Sequence, residues 1–174
     1  HYVTAGSELD KEAMKRGTSV YFPDRVLPML PESLSNGACS LNEGEDRYTL
    51  SCIMHVDGRG SVTDSQIAEG VIRSSNRMTY TQVSAILDGD ETVRAKYPHL
   101  LLMCEDMRAL ARILMKKRQA RGSVELDVRE AKITYNDGAI EVCEYQRTMA
   151  HHIIEEFMIL ANETVAEFIA AYEL

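Results

Sequence analysis

The groups best suited to chemistry are concentrated between residues 151 and 167, where histidine, glutamate and asparagine recur at helical spacing. At 100° per residue, His151, Glu155 and Asn162 form a row at the edge of a broad apolar face. The glutamates predicted on the polar face are Glu156, Glu163 and Glu167. A buried carboxylate is costly unless it is paired or used. We therefore predict Glu155 and Asn162 as catalytic-site residues and Glu156 as a solvated surface residue.

Two pairs in the same stretch have the i,i+4 spacing with which a helix can bind a metal, namely His151 with Glu155 and His152 with Glu156. The alternatives are a pair of residues that interact on the helix surface, and a hydrogen bond that orients Glu155. Two ligands do not make a metal site, so we predict that these residues bind no metal.

Tyr21 stands directly before a proline-rich segment. An isolated tyrosine is usually a strand residue with its ring in the core and its hydroxyl at the surface. The alternative is a platform on which the last base of a single strand stacks, a contact that contributes about 1–3 kcal/mol. The residues alone leave both interpretations open.

A second tyrosine, Tyr80, follows two arginines that could contact phosphate groups, Arg73 and Arg77. Arginines at a strand end are, however, most often solvated surface residues. From the residues alone the surface interpretation is favoured.

The composition is typical of one globular domain, because 174 residues of which 45% are hydrophobic can bury a sizeable core. A formal net charge of −8 repels phosphate on average and removes the simplest argument for nucleic-acid binding, a basic surface. The cysteines form no Cys-x-x-Cys pair and indicate neither a zinc site nor a disulfide framework; they are Cys39, Cys52, Cys104 and Cys143. We expect a reduced, cytoplasmic setting, without a transmembrane helix or signal peptide.

Local signals predict the elements that must position these residues. Residues 1–3 are expected to complete a strand, and a capped helix is expected from Ser7 to Gly17. The prolines predict an ordered but irregular loop over 23–36. Alternating residues predict a strand over 48–56, which the turn at 57–60 leads into a second strand over about 61–74.

The second half of the chain predicts further helices and one more hairpin. The elements expected are a helix after Thr79 with a capping box to Gln82, a helix over about 98–121, strands over 124–135 and 140–145 joined at Asn136-Asp137-Gly138, and a helix over 147–172. We therefore predict an α+β fold, with an antiparallel or mixed sheet of hairpins flanked by amphipathic helices.

Three stretches resemble the catalytic domain of the ribonuclease II and ribonuclease R family of 3′-to-5′ exoribonucleases, the RNB family. They are RGTSVYFPDRVLPMLPE with LSNGACSL in residues 16–41, IRSSNRMTY in 72–80 and HHIIEEFMILAN in 151–162. The resemblance spans nearly all of the chain. It implies that residues 1–174 are an internal fragment of a single RNB catalytic domain, which belongs to a longer enzyme that we name the parent enzyme.

The resemblance implies that the parent enzyme is a processive hydrolase, which draws single-stranded RNA through a narrow channel and releases nucleoside 5′-monophosphates. It implies that Tyr21 holds the 3′-terminal base and that Tyr80 lines the RNA path, and it gives Arg73 and Arg77 the role of phosphate contacts. A functional glutamate is implied in the third stretch, where Glu155 and the residue after it both stay candidates.

The resemblance also implies Mg²⁺ in the parent enzyme, held by four closely spaced aspartates that precede His1 in the family. The fragment itself is therefore expected to bind no metal and to be inactive. Leu126 stands where ribonuclease II has a phenylalanine that clamps the stacked nucleotides from the other end, and a leucine offers no ring for that role.

Two further hypotheses stay open. The chain could be a non-catalytic RNA-binding or protein-interaction module on the same scaffold, or it could self-associate through an exposed strand edge. The partner that we expect is single-stranded RNA, with no membrane and no obligate protein partner.

Overall fold

The computed structural model describes residues 2–124, 131–136, 139–144 and 147–171, and these residues form two compact units. Unit 1 comprises the described residues within His1–Tyr48, Val71–Arg77 and Arg129–Tyr145, and unit 2 those within Thr49–Gly70, Met78–Val128 and Gln146–Leu174.

The chain contains five α-helices and three two-stranded hairpins within the described residues. The helices are α1 (Glu8–Arg16), α2 (Tyr80–Asp88), α3 (Glu91–Lys96), α4 (Leu101–Ala120) and α5 (Met149–Ala171). The strands are β1 (Val20–Tyr21), β2 (Val26–Leu27), β3 (Asp46–Val56), β4 (Val62–Arg73), β5 (Ala131–Asn136) and β6 (Ala139–Glu144). The strands pair as β1 with β2, β3 with β4 and β5 with β6. This confirms the predicted α+β class.

The caps of α1 follow directly from its sequence. The Ser7 hydroxyl accepts a hydrogen bond from the Asp10 N–H at 3.2 Å, and Gly17 closes the helix with a φ of 69°. That backbone conformation favours glycine because other residues suffer a steric clash there. The prediction of a helix between these two caps is confirmed.

The hairpin of β3 and β4 is closed by the side chain of Asp57. Its carboxylate accepts from the N–H groups of Arg59 and Ser61 at 2.9 and 2.8 Å. The Ser61 and Arg59 N–H groups hold the pKa of this carboxyl below its usual value, because they favour the charged form. The predicted turn between two strands is confirmed.

The core of unit 2 lies between α2, α4 and α5. Ile86 and Ile153 are its largest fully buried side chains. Burial raises the pKa of the Cys104 thiol, which packs in this core as a small neutral side chain. The other members of the core cluster are Leu87, Leu100 and Ala111.

Several predicted boundaries differ from the structure. Tyr2 and Val3 lie in no strand; instead the Ser7 N–H donates to the Thr4 carbonyl in a turn that leads into α1. The expected irregular loop contains β2 and runs into a π-helical turn, Ser33–Ala38. Pro98 begins a short 3₁₀ turn, Pro98–Leu100, ahead of α4 rather than the helix itself.

The hairpin of β5 and β6 is antiparallel, with Asn136 paired to Ala139. It confirms the predicted hairpin, although the turn residues Asp137 and Gly138 and the first part of the predicted strand, residues 125–130, lie outside the described residues.

Candidate functional site

Tyr21 is exposed on a narrow two-stranded ribbon of unit 1. It lies in β1 opposite Val26 of β2, and 77% of its surface is accessible. The turn between the strands is closed by the Phe22 N–H, which donates to the Arg25 carbonyl at 2.8 Å. Of the two interpretations of Tyr21, the one that placed its ring in a core is wrong. The ring is free to stack against a planar ligand.

Two polar contacts anchor the ribbon, one to the preceding helix α1 and one between the two ends of the ribbon. The Arg16 guanidinium donates to the Pro28 carbonyl at 2.9 Å, and the Met29 N–H donates to the Ser19 hydroxyl at 3.0 Å. The backbone that carries Tyr21 is thus anchored on both sides although its side chain is exposed.

The two arginines predicted as phosphate contacts differ in their surroundings. The Arg73 guanidinium donates to the Asp46 carboxylate at 2.7 Å, and this hydrogen bond holds the pKa of Asp46 below its usual value. Arg77 uses its backbone N–H to bind the Glu43 carboxylate at 3.1 Å. Within the described parts of the chain, the Arg77 guanidinium makes no ion pair, so it is the better placed of the two to meet a phosphate.

Tyr80 is the first residue of α2 and is positioned by the cap of that helix. The Thr79 hydroxyl accepts from the Gln82 N–H, while the Gln82 side chain accepts from the Thr79 N–H. The Tyr80 ring stacks on the His151 imidazole, with 4.0 Å between the ring centroids and 18° between the planes. Tyr80 is still 46% exposed.

The His151 imidazole is fixed by the residue that precedes α5. Its Nδ1 accepts from the Thr148 N–H at 3.1 Å and lies 2.9 Å from the Thr148 hydroxyl. That hydroxyl in turn accepts from Ser84 of α2 at 2.8 Å. Burial lowers the pKa of His151, and the positive charges of Arg147 and His152 lower it further. The structure thus stabilises the neutral imidazole.

Glu155 lies one helical turn beyond His151 and is half-buried. Its carboxylate is 3.4 Å from the Arg147 guanidinium and 3.6 Å from Nδ1 of His152. Both contacts are long and involve the same carboxylate oxygen, so the carboxylate keeps capacity to accept further hydrogen bonds.

Glu156 is buried, and the prediction of a solvated Glu156 is wrong. Only 3% of its surface is accessible, and one of its carboxylate oxygens accepts from Nε and Nη2 of Arg118 at 2.9 and 2.7 Å. The buried stripe of α5 comprises Ala150, Ile153, Glu156, Leu160 and Thr164. Glu156 lies on this stripe because an arginine of α4 supplies the charge that makes its burial possible.

Asn162 is exposed on α5, contrary to the prediction that its row is partly buried. The actual stripe is rotated relative to the predicted apolar face, since it includes Glu156 and Thr164. The Thr164 hydroxyl donates a hydrogen bond to the Leu160 carbonyl at 2.9 Å, and this bond allows a polar residue to be buried.

The predicted site residues divide between the two units. Tyr21, Arg73 and Arg77 belong to unit 1, whereas Tyr80, Glu155 and Asn162 belong to unit 2. Within unit 2, Tyr80 of α2 packs against His151 of α5, the helix that also carries Glu155. Leu126 lies outside the described residues.

The link between His151 and Tyr80 was not predicted. The spacing Thr148-x-x-His151 is that of a capping box, with histidine in the place of glutamate or glutamine, and would have indicated that His151 faces the start of α5.

The described residues contain no group of three histidine, cysteine, aspartate or glutamate side chains that could hold a metal ion. His151 and Glu155 instead bind Thr148 and Arg147, respectively. Across the same residues, no helix combines the length and the apolar character that crossing a bilayer requires.

The family model of the RNB domain matches residues 1–174. Ribonuclease R 1 of Lactococcus lactis subsp. lactis (strain IL1403) is 46% identical over 176 residues, which cover 100% of this chain and 22% of that protein. Ribonuclease R of Escherichia coli (strain K12) is 46% identical over 171 residues, which cover 97% of this chain and 21% of that protein. This chain therefore spans about one fifth of the length of these curated relatives.

The fold is also similar to that of a solved ribonuclease R. The structure of Mycoplasma genitalium RNase R in complex with ribose methylated single-stranded RNA matches with a TM-score of 0.87 and 31% identity, over 100% of this chain and 27% of that one. Because the family model and the solved fold both match along the whole of this chain, the chain belongs to the RNB domain family.

Proposed function

We propose that this chain is a piece of a longer 3′-to-5′ exoribonuclease, the parent enzyme, which degrades single-stranded RNA processively. The observation that carries the proposal is the 46% identity to proteins named ribonuclease R along the entire chain. An identity of this size along the whole of this chain favours a shared reaction over a shared scaffold alone.

The chain would contribute the surfaces that grip the 3′ end of the RNA. Tyr21 would stack on the terminal base, which its exposed ring permits. Tyr80 would line the path of the strand, and Arg77, with Arg73 in a weaker role, would meet phosphates. Stacking and charge together hold a single strand without reading its sequence, as a degrading enzyme requires.

Glu155 is the better candidate for the functional glutamate, because the neighbouring Glu156 is occupied by Arg118. A half-buried carboxylate can accept a hydrogen bond from a ribose 2′-hydroxyl, the group that distinguishes RNA from DNA. Asn162, exposed on the same helix, would support the ribose or the pocket around it.

The reaction is hydrolysis of the terminal phosphodiester. Water adds to the phosphorus, the bond to the 3′-oxygen of the preceding nucleotide breaks, and the products are a nucleoside 5′-monophosphate and an RNA shortened by one residue with a 3′-hydroxyl. The role of the described residues is to bind and orient the strand so that the terminal phosphate is held in one position.

We also propose Mg²⁺ as the cofactor of the parent enzyme. The described residues do not fit such an ion, because they lack a group of three suitable ligands. The ligands would thus be carboxylates other than those described, and no step at the residues above depends on the metal.

The test is degradation of a single-stranded RNA labelled at its 5′ end by the parent enzyme, with and without EDTA. A ladder that shortens from the 3′ end, with labelled 5′-monophosphate released from an RNA labelled in its last nucleotide, is the expected result. Binding of the RNA without any shortening would overturn the exoribonuclease proposal and favour a non-catalytic RNA-binding module. Assayed alone, the 174-residue chain is expected to produce no ladder.

We propose a cytoplasmic location for the parent enzyme. The support is chemical, since the cysteines of the chain are free thiols, as a reducing compartment maintains them. Fractionation of cells with an antibody against the chain tests the location.

A further inference from the structure

We propose that His151 is a positioning residue that holds the Tyr80 ring in the orientation with which it meets RNA. The inference rests on the proposed function, in which Tyr80 lines the RNA path. His151 itself would not need to touch the RNA.

The rings of Tyr80 and His151 are stacked on each other. A centroid distance of 4.0 Å and an angle of 18° place the imidazole flat against one face of the phenol. Aromatic pairs in contact contribute more than their buried area alone. Because Tyr80 stays 46% exposed, the stack restrains the ring without burying it, which is what a contact surface for a ligand requires.

The His151 imidazole is held by hydrogen bonds and cannot rotate freely. Nδ1 of His151 accepts from the Thr148 N–H, so this nitrogen must carry no proton. The Thr148 hydroxyl is held by Ser84, which donates to it at 2.8 Å, and can therefore turn its own proton toward Nδ1. A relay of hydrogen bonds from Ser84 through Thr148 thus fixes both the tautomer and the plane of the imidazole.

The hydrogen-bond relay from Ser84 to His151, followed by the ring stack on Tyr80, starts and ends on α2. Tyr80 and Ser84 are one turn apart on α2, so they lie on one face of that helix. Thr148 and His151 bracket the first turn of α5. The four side chains form a closed loop between the two helix ends, and a change at one member is transmitted to Tyr80.

The loop requires a neutral histidine, and the surroundings supply that condition. Burial lowers the pKa of His151, with Arg147 and His152 acting in the same direction. A protonated imidazole would bring a second donor against the Thr148 N–H and break the cap.

The test is a double-mutant cycle on the affinity of the parent enzyme for a single-stranded RNA, measured in EDTA so that the RNA stays intact. Loss of preorganisation of one aromatic side chain lowers affinity by about 2- to 12-fold. We expect a loss in this range for His151→Ala when Tyr80 is present, and almost none in the Tyr80→Ala background. His151→Phe keeps a ring under Tyr80 and is expected to recover part of the affinity.

The matched control is His152→Ala, which removes the next histidine of the same helix and leaves the stack in place. Should His151→Ala unfold the protein, Ser84→Ala breaks the relay at its first donor and is expected to show a smaller loss with the same dependence on Tyr80. Thermal unfolding of every variant separates effects on affinity from effects on stability.

Equal losses for His151→Ala in both backgrounds, or no loss in either, would overturn the positioning role. A Tyr80→Ala variant with unchanged affinity would also overturn it, while leaving the exoribonuclease proposal intact. A parent enzyme without affinity for RNA would instead overturn the proposed function and this inference together.

Discussion

At the scale of the residue, Tyr21 offers the most direct test of how the RNA end is held. Replacement by alanine removes the stacking ring, and we expect the affinity of the parent enzyme for short RNAs to fall by about 5- to 150-fold, the equivalent of about 1–3 kcal/mol. The residual product left after complete digestion should become longer, because short RNAs then dissociate before the next cleavage. Both are read from binding titrations and a denaturing gel.

Tyr21→Phe is the matched control, since it keeps the ring and removes only the hydroxyl. Because the side chain is 77% exposed, neither variant is expected to change the free energy of unfolding. A residual product of unchanged length in Tyr21→Ala would argue against the stacking role.

The neighbouring glutamates Glu155 and Glu156 are expected to separate stability from binding. Glu156→Gln replaces the carboxylate that accepts from Arg118 with a neutral amide, in a site where only 23% of the Arg118 side chain is exposed. We expect the free energy of unfolding of the 174-residue chain to fall by about 3 kcal/mol, as for other broken buried pairs. Glu155→Gln removes one long ion pair, to the half-exposed Arg147, and should cost less than about 1 kcal/mol.

Urea denaturation of both variants measures this difference. In the parent enzyme, Glu155→Gln should weaken discrimination between RNA and DNA oligonucleotides while Glu156→Gln should not. Equal losses of stability in the two variants would contradict the assignment of Glu156 to the buried pair.

The glutamates also show where prediction from the sequence stops at this scale. Glu156 is buried because of Arg118, which is 38 residues away along the chain, and helical periodicity carries no information about such a partner. Periodicity alone put Glu156 on the polar face and Asn162 nearer the core. The candidates Tyr21 and Tyr80 came from the family resemblance rather than from the residues themselves.

At the scale of the element, the capping box of α2 should control the stability of the helix that carries Tyr80. Thr79→Ala removes the acceptor of the Gln82 N–H, and we expect a loss of about 1 kcal/mol in the free energy of unfolding. Thr81→Ala is the control, because Thr81 is exposed on the same turn and caps nothing. Thermal unfolding of the two variants of the 174-residue chain gives the comparison, and equal midpoints would contradict it.

The elements that the sequence predicted well are those that depend on local contacts. Ser7 and Gly17 cap the two ends of α1. Asp57 closes a turn by accepting hydrogen bonds from N–H groups that lie two and four residues further along the chain. The π-helical turn at Ser33–Ala38 was missed because its support is distant. Nε and Nη2 of Arg47 donate to the carbonyls of Ser40 and Gly37, at 2.8 and 3.3 Å, and no local pattern predicts that contact.

At the scale of the whole molecule, a net charge of −8 must be reconciled with membership of a family of RNA-degrading enzymes. Much of the positive charge is already neutralised within the protein. Arg73, Arg118 and Arg121 are paired with Asp46, Glu156 and Glu163, respectively. The part of RNA affinity that this chain supplies should therefore depend more on stacking than on ion pairs, and should vary little with salt concentration.

The salt dependence of RNA binding should be distributed unequally between Arg73 and Arg77. A contact between a cation and one phosphate of a single strand contributes about −0.7 to the slope of log K against log salt concentration. Arg77, whose guanidinium makes no ion pair within the described residues, should contribute most of that amount, so Arg77→Gln should make the slope shallower by about 0.7. Arg73→Gln should change the slope by less, because a phosphate must first displace Asp46 from Arg73.

Binding titrations of the parent enzyme between about 50 and 200 mM salt, in EDTA, measure both slopes. If Arg73→Gln changed the slope more than Arg77→Gln did, the ion pair with Asp46 would not persist in the RNA complex, and the order of the two arginines would be reversed.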